Sequence, residues 1–324
     1  MIWKSNKSEQ GLSGIMIMSE AKYWRIRIKY GAYEELTREA WDRDEVGIWY
    51  GAWGARDWRA ASVSKDPLRY LSRINRKAGM NWKMRANDVS LVERFVNIDP
   101  RDWVLVYFDN TLSLAHVCSE IRSAVDHPLN RVLETFKYRK IKRKKSFSLD
   151  RLPDAFRLLR AAGRGNVFQP RGCGELVKLL GASANEREVA SLLEEKELDE
   201  FLELLGPTSW ESVCQAYLSL EHSFVPTGLR YGGILPDFDI VGRRATDGTR
   251  ILAQCKKTPH PVFIQDGFLS AVGKPAKGLI AFYFAFAGCM GEIPPHIRVI
   301  DRDAIASWSM TRAGKRYFRW LRGE

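Results

Sequence analysis

The sequence predicts an α/β protein of two domains, the first of them a small twisted sheet or β-barrel-type α+β unit. Three observations carry this. At 324 residues the chain has room for two domains of ~100–200 residues each. Eight of its eleven tryptophans, Trp3, Trp24, Trp41, Trp49, Trp53, Trp58, Trp82 and Trp103, crowd into the first third, a shift in composition that marks a separate unit. Near the other end, two apolar, β-branched runs flank Asp247-Gly248, which is turn chemistry between paired strands.

Taken in order, Tyr23-Trp-Arg-Ile-Arg-Ile-Lys29 alternates with period two and predicts a strand. Trp103 to Phe108 and Ser113 to Val117 predict a hairpin around Asp109-Asn110. Helical segments are expected around Leu36 to Ala40 and Asp57 to Ala61. Lys137 to Lys145 reads KYRKIKRKK, seven bases in nine residues without an acid. We read it as a basic connector in which Lys140, Lys142, Arg143, Lys144 and Lys145 track phosphates, or else form a solvated charge run. Glu186 to Leu205 has the apolar spacing of a surface helix or helix pair, ended by Gly206-Pro207. Thr208-Ser-Trp-Glu211 then has capping-box spacing for a helix from Trp210 to about His222. The expected division is a first domain over 1–136, a basic connector and helical linker over 137–206, and a second domain over 207–324.

The net charge of +12 favours a polyanionic partner, nucleic acid over an anionic membrane surface, because each neutralised phosphate releases counterions. No stretch approaches the ~20 apolar residues of a membrane span, so Leu279 to Ala287 is read as a buried strand and no membrane partner is expected. Five scattered cysteines, Cys118, Cys173, Cys214, Cys255 and Cys289, lack zinc-site spacing and fit a reducing cytoplasm. The five histidines, His116, His127, His222, His260 and His296, are scattered singly and read as structural.

The chemistry concentrates in Gly232-Gly-Ile-Leu-Pro-Asp-Phe-Asp-Ile-Val-Gly242 and Arg250-Ile-Leu-Ala-Gln-Cys-Lys-Lys257. As a hairpin these put Asp237 and Asp239 on one face of a strand and Gln254 and Lys256 on one face of its partner. If the apolar faces go to the core, a carboxylate, an amide oxygen and an ammonium converge. Phosphodiester hydrolysis needs such a set: oxygen ligands for magnesium or manganese, and a cation near the attacking water. Asp239 and Gln254 would ligate metal, and Lys256 would polarise the water and stabilise developing charge.

Asp239 with Gln254-Cys-Lys256 resembles the PD-(D/E)xK nuclease superfamily, and within it the Mrr-like restriction endonucleases, in which Gln replaces the usual Glu. Trp210-Glu211 before an apolar helix, Gly232-Gly233, the strand Leu279 to Ala287 and Arg298-Val-Ile-Asp-Arg-Asp-Ala304 extend the resemblance over about a third of the chain. It implies a restriction-endonuclease-like α/β/α domain with a central mixed sheet. It also implies an acid on the opening helix, a place that Glu211 or Glu221 would fill. Glu211 fits the family position better and is also the capping-box acid. The usual G-x-D-G-G-x-D is absent, which leaves Asp237 as a second candidate ligand, although Asp239 directly precedes Ile240-Val241 as the pattern requires.

The first domain resembles, in pattern, the PUA-like family that includes EVE-type readers of modified bases, through Tyr23-Trp-Arg-Ile, Gly47-Ile-Trp-Tyr-Gly-Ala-Trp53 and Asp102-Trp-Val-Leu-Val-Tyr-Phe108. The resemblance implies an aromatic cage for a flipped base, for which Trp49, Tyr50 and Trp53 are the candidates; a plain barrel core is the alternative. Together these readings imply a magnesium-dependent endonuclease, modification-dependent or foreign-DNA-directed, acting in phage defence. The alternatives are a non-catalytic nucleic-acid-binding protein and an RNA-processing nuclease. One catalytic set per chain implies a homodimer or larger homo-oligomer for a double-strand cut.

Overall fold

A computed structural model of the chain describes residues 22–26, 32–81, 84–161, 167–168, 174–227 and 237–323. It is a mixed α/β structure with two sheets, one of them curled into a half-barrel. The first sheet contains β1 (Tyr23–Ile26), β2 (Glu45–Trp49), β3 (Trp103–Phe108), β4 (Thr111–Val117), β5 (Phe136–Ser148) and β6 (Val167–Phe168), in the order β2-β5-β4-β3-β1-β6. Helices α1 (Ala32–Asp42), α2 (Ala55–Ser62), α3 (Pro67–Lys77) and α4 (Ala86–Val96) lie between β1 and β3 in the chain, with β2 following α1. The β3–β4 hairpin turns where expected, with Asp109 and Asn110 at φ 41° and 57°, the positive values that a two-residue type I′ turn demands.

Both faces of this sheet are covered. Val104, Val106 and Ala115 face one way, into a core with Trp53, Trp58 and Phe95, while Leu105, Leu112 and Leu114 face the other, against Phe147, Phe156 and Leu180. Period-two alternation along β3 and β4 thus serves two cores at once. The curl has a local cause. A register shift between Leu114 and His116 lets β5 pair with β4 along one half and with β2 along the other, and such a bulge bends its strand.

This overturns the reading of 137–145 as a connector. The stretch is the middle of the 13-residue strand β5, and its charges alternate into structural roles. Arg139 donates to the carbonyls of Phe95, Val96 and Ile98 at 3.2, 3.1 and 2.6 Å, closing the C-terminal end of α4. Lys145 donates to Gly181 and Ser183 carbonyls at 2.6 and 3.0 Å. Lys140 pairs with the buried Glu45 at 2.8 Å, which also meets His127 at 2.9 Å, and Lys144 pairs with Asp44 at 2.7 Å. Lys142 is exposed, and the Arg143 side chain lies outside the described residues.

Lys137, at the start of the same run, is fully buried. Its Nζ donates to the Tyr50 and Gly51 carbonyls at 2.7 and 2.6 Å, and burial pushes its ammonium well below the ordinary lysine range. Two acceptors match the two hydrogens of a neutral amine. The folded state therefore binds fewer protons here than the unfolded state, so stability rises with pH between the depressed folded pKa and the ordinary lysine value. Lys137→Met is expected to flatten that rise; urea melts of both proteins across the alkaline range would check it, and parallel curves would refute it.

The rest of the described chain continues with α5 (Asp154–Ala161), α6 (Gly174–Ala182), α7 (Glu186–Glu194), α8 (Leu198–Leu204) and α9 (Pro207–His222). After them come β7 (Phe224–Pro226), β8 (Ile240–Arg244), β9 (Arg250–Lys256), α10 (Asp266–Val272), β10 (Leu279–Ala285), β11 (Ile297–Ile300), α11 (Arg302–Ser309) and α12 (Arg312–Arg322). The stretch expected to link two domains is packed instead: Phe156, Leu180, Val189 and Phe201 join one core with Leu105 and Leu114 of the first sheet and with Trp210, Phe282 and Phe284 beside the second.

The second sheet has the order β11-β10-β9-β8-β7. β9, β10 and β11 run parallel, while β7, β8 and β9 pair antiparallel, so the sheet is mixed. The β8–β9 hairpin turns through Asp247 and Gly248, the latter at φ 72°. One face of the sheet packs Ile251, Ala253, Cys255, Phe282 and Phe284 against Trp210, Val213 and Cys214 of α9. The other packs Ala281, Tyr283 and Ala285 against Phe268 and Val272 of α10. Each fully buried aromatic or aliphatic side chain here contributes roughly 1.5–3 kcal/mol. Among the described residues no helix is long and apolar enough to cross a membrane.

Candidate active site

Helix α9 starts at Pro207, with Gly206 as N-cap and no side-chain cap. The expected capping box between Thr208 and Glu211 is therefore not formed, and proline at the first position suits a helix that starts one turn earlier than the capping spacing implied. Glu211 is released from capping duty. Its carboxyl group lies instead within electrostatic reach of Asp239 and Lys256.

Asp239 sits at the entrance to β8, where its backbone N–H donates to the Ala253 carbonyl at 3.0 Å. Its Oδ2 accepts from the Cys255 N–H at 2.8 Å. That bond fixes the carboxylate beside the end of β9, between Gln254 and Lys256 in sequence. Burial, the negative charge of Asp239 and the opposing pull of Lys256 leave the Glu211 carboxyl pushed up to about 7. Two carboxylates held together out of water raise the cost of ionising both. Behind them Cys214 and Cys255 are buried, and burial pushes both thiols up. They are neutral packing between α9 and β9.

Gln254 is 2 % exposed. With its amide oriented to suit its neighbours, Nε2 donates to the Asp237 carbonyl at 3.0 Å and Oε1 accepts from Lys256 Nζ at 2.9 Å. The sequence makes Gln254 an expected metal ligand; in this arrangement its oxygen faces the Lys256 ammonium and positions it. Asp237 stands two residues before Asp239. Its carboxylate rests on Gly267 in the first turn of α10, where an added Cβ would come within 2.2 Å of Oδ1.

Glu221 lies ten residues beyond Glu211 on α9, about 15 Å along the axis at 1.5 Å per residue. It accepts from Trp308 Nε1 at 2.8 Å, so it does not complete the site. His222 is at that same far end, against Phe282, and His260 is exposed. Gly232 and Gly233 lie outside the described residues.

Among the described residues no three His, Cys, Asp or Glu side chains come close enough to hold a metal ion by themselves. The carboxylates that the fold brings within electrostatic reach of each other are those of Asp239 and Glu211. This pair fits magnesium or manganese, which commonly take one or two carboxylates and complete their shell with water and substrate phosphates. Burial first, and the Asp239 charge second, raise the Glu211 carboxyl, and a bound divalent cation would favour its ionised form.

The aromatic cage is not formed. Trp53 is 0 % exposed, its ring faced by Lys137 Nζ at 4.1 Å. Trp49 is 7 % exposed, tilted against Phe136 with centroids 4.5 Å apart, and its Nε1 donates to the Leu129 carbonyl at 2.8 Å. Tyr50 packs partly buried against the Trp53 core. These rings form barrel core, which leaves no open slot for a base between them. No family model, curated protein or solved structure matches the chain.

Proposed function

We propose that this chain is a metal-dependent endonuclease of the Mrr-like PD-(D/E)xK type that hydrolyses phosphodiester bonds in foreign DNA, as a restriction enzyme of phage defence does. The observation that carries the reading is the meeting of Glu211, Asp239 and Lys256 at the open end of a β-hairpin, on a mixed sheet covered by helices on both faces. Asp239 and Glu211 would hold magnesium or manganese, which supplies Lewis acidity and a more acidic bound water.

The chain's own residues do the rest. The Cys255 N–H holds the Asp239 carboxylate in one orientation, which spares the site the entropy of freezing it on binding. Gln254 holds Lys256 by its ammonium, leaving the remaining N–H donors to orient the attacking water or meet charge that develops on the phosphate. Burial between α9 and the sheet lowers the local dielectric and strengthens both effects. One such set cuts one strand, so a double-strand break calls for two copies of the chain.

The hydrogen bond from Lys256 to Gln254, with no third acid at the site among the described residues, favours a second reading, a nucleic-acid-binding protein with a nuclease-like fold and no turnover. Cleavage of supercoiled plasmid with magnesium or manganese decides between them. The nuclease reading expects nicking that EDTA stops, that Glu211→Gln lowers by about 10²-fold or more and that Glu221→Gln leaves nearly unchanged. Binding without nicking by the wild type, with either metal, would establish the second reading instead.

A further inference from the structure

Helix α3 carries a charged face that the nuclease reading does not use. It is fixed at its start by Pro67 at the first position and by Asp66, whose side chain accepts from the Arg69 N–H at 2.9 Å. Its apolar side is held down by Leu71, 0 % exposed, and by Asn75, whose Oδ1 accepts from the Ala52 N–H at 2.9 Å. Arg69, Arg73 and Arg76 follow at i, i+4 and i+7, the spacing of one helix face, and all three are exposed.

These arginines line one cavity of about 630 Å³ together with Ser64, Asp66, Tyr70 and Ser72, so three guanidinium groups face a single carboxylate there. The Arg73 guanidinium lies over the Tyr70 ring at 5.3 Å. Among the described residues none of the three pairs with a carboxylate, in contrast to Lys140 and Lys144, which are neutralised by Glu45 and Asp44. The two acids of the stretch 55–77 are occupied: Asp57 Oδ2 accepts from the Gly54 N–H at 2.7 Å, and Asp66 caps α3. The stretch keeps a net positive charge, with seven bases (Arg56, Arg59, Lys65, Arg69, Arg73, Arg76 and Lys77) against these two acids.

We propose that the Arg69, Arg73 and Arg76 face of α3 is a nucleic-acid interface that grips the phosphodiester backbone of a duplex. Guanidinium forks match phosphate oxygens in pairs, the serine hydroxyls and Tyr70 add neutral donors, and a helix pinned on its far side presents the arginines already ordered. Such contacts fix position and carry no sequence information. The proposal rests on the nuclease reading only for what becomes of the bound duplex.

The test is binding of the full chain to short fluorescein-labelled DNA and RNA duplexes by anisotropy, in EDTA so that no cleavage enters, over a series of salt concentrations. The variant Arg69→Ala/Arg73→Ala/Arg76→Ala is compared with wild type and with Arg312→Ala/Lys315→Ala/Arg316→Ala on α12, which removes the same charge elsewhere. The α3 variant is expected to weaken binding by at least about tenfold and to lower the slope of log K against log salt by about 2–3, with the α12 variant close to wild type. The duplex the wild type holds more tightly identifies the backbone. Unchanged affinity and slope in the α3 variant, equal losses in both variants, or a wild type that binds neither duplex would each overturn the proposal. Plasmid nicking fails independently of this result.

Discussion

Asp239→Asn and Lys256→Ala are each expected to lower metal-dependent cleavage by about 10²–10³-fold or more, the scale seen when one preorganised charge or donor is removed from a site. Folding is expected to survive both changes. Asparagine can turn its oxygen to the Cys255 N–H that Asp239 Oδ2 now meets at 2.8 Å, so the β8 entrance keeps its anchor and loses only the negative charge. Lys256 is partly exposed at the end of β9, and its removal frees Gln254 Oε1 without opening a core cavity. Plasmid nicking measures the first expectation and thermal melting the second. Wild-type rates in both variants, with melting unchanged, would remove the catalytic role from this hairpin.

The second large effect concerns the first sheet. Trp53→Ala is expected to cost roughly 3–5 kcal/mol of stability, as large-to-small changes at filled aromatic sites do. Trp53 is 0 % exposed and shares its core with Trp58, Phe95 and Val106. The change would also strip the ring from beside Lys137 Nζ, 4.1 Å from its centroid, leaving a buried amine in a cavity. Urea denaturation measures the loss. If Trp53 were instead the open wall of a base-binding cage, its truncation would stay within about 0.5 kcal/mol, as surface substitutions do, and would show in ligand binding instead.

What could be read from the amino-acid order alone was the short-range part. Period-two alternation and turn residues located the β3–β4 and β8–β9 hairpins, because both signals are local: side chains alternate across a strand, and Asn110 or Gly248 takes the positive φ the turn needs. The apolar run from Leu279 likewise marked β10, a strand buried on both faces. The hairpin register alone also placed Asp239 opposite the Gln254 to Lys256 segment, so the centre of the candidate site was legible.

Only the tertiary structure decided how charges are spent. Lys140 meets Glu45 across 95 residues of sequence, and Arg139 closes α4 from more than 40 residues away, so a run that composition reads as solvated became a load of internal pairs and caps. Glu211 and Glu221 are equal candidates on paper, but α9 brings only its N-terminal end beside Asp239, and Trp308 takes the other acid. Gln254 had the composition of a ligand until the fold buried it against Lys256, and the tryptophans had the composition of a cage until two cores closed over them. Hydrogen bonding and burial act between groups distant in sequence, and it is these long-range partners, absent from any local pattern, that take up the charges of a basic tract.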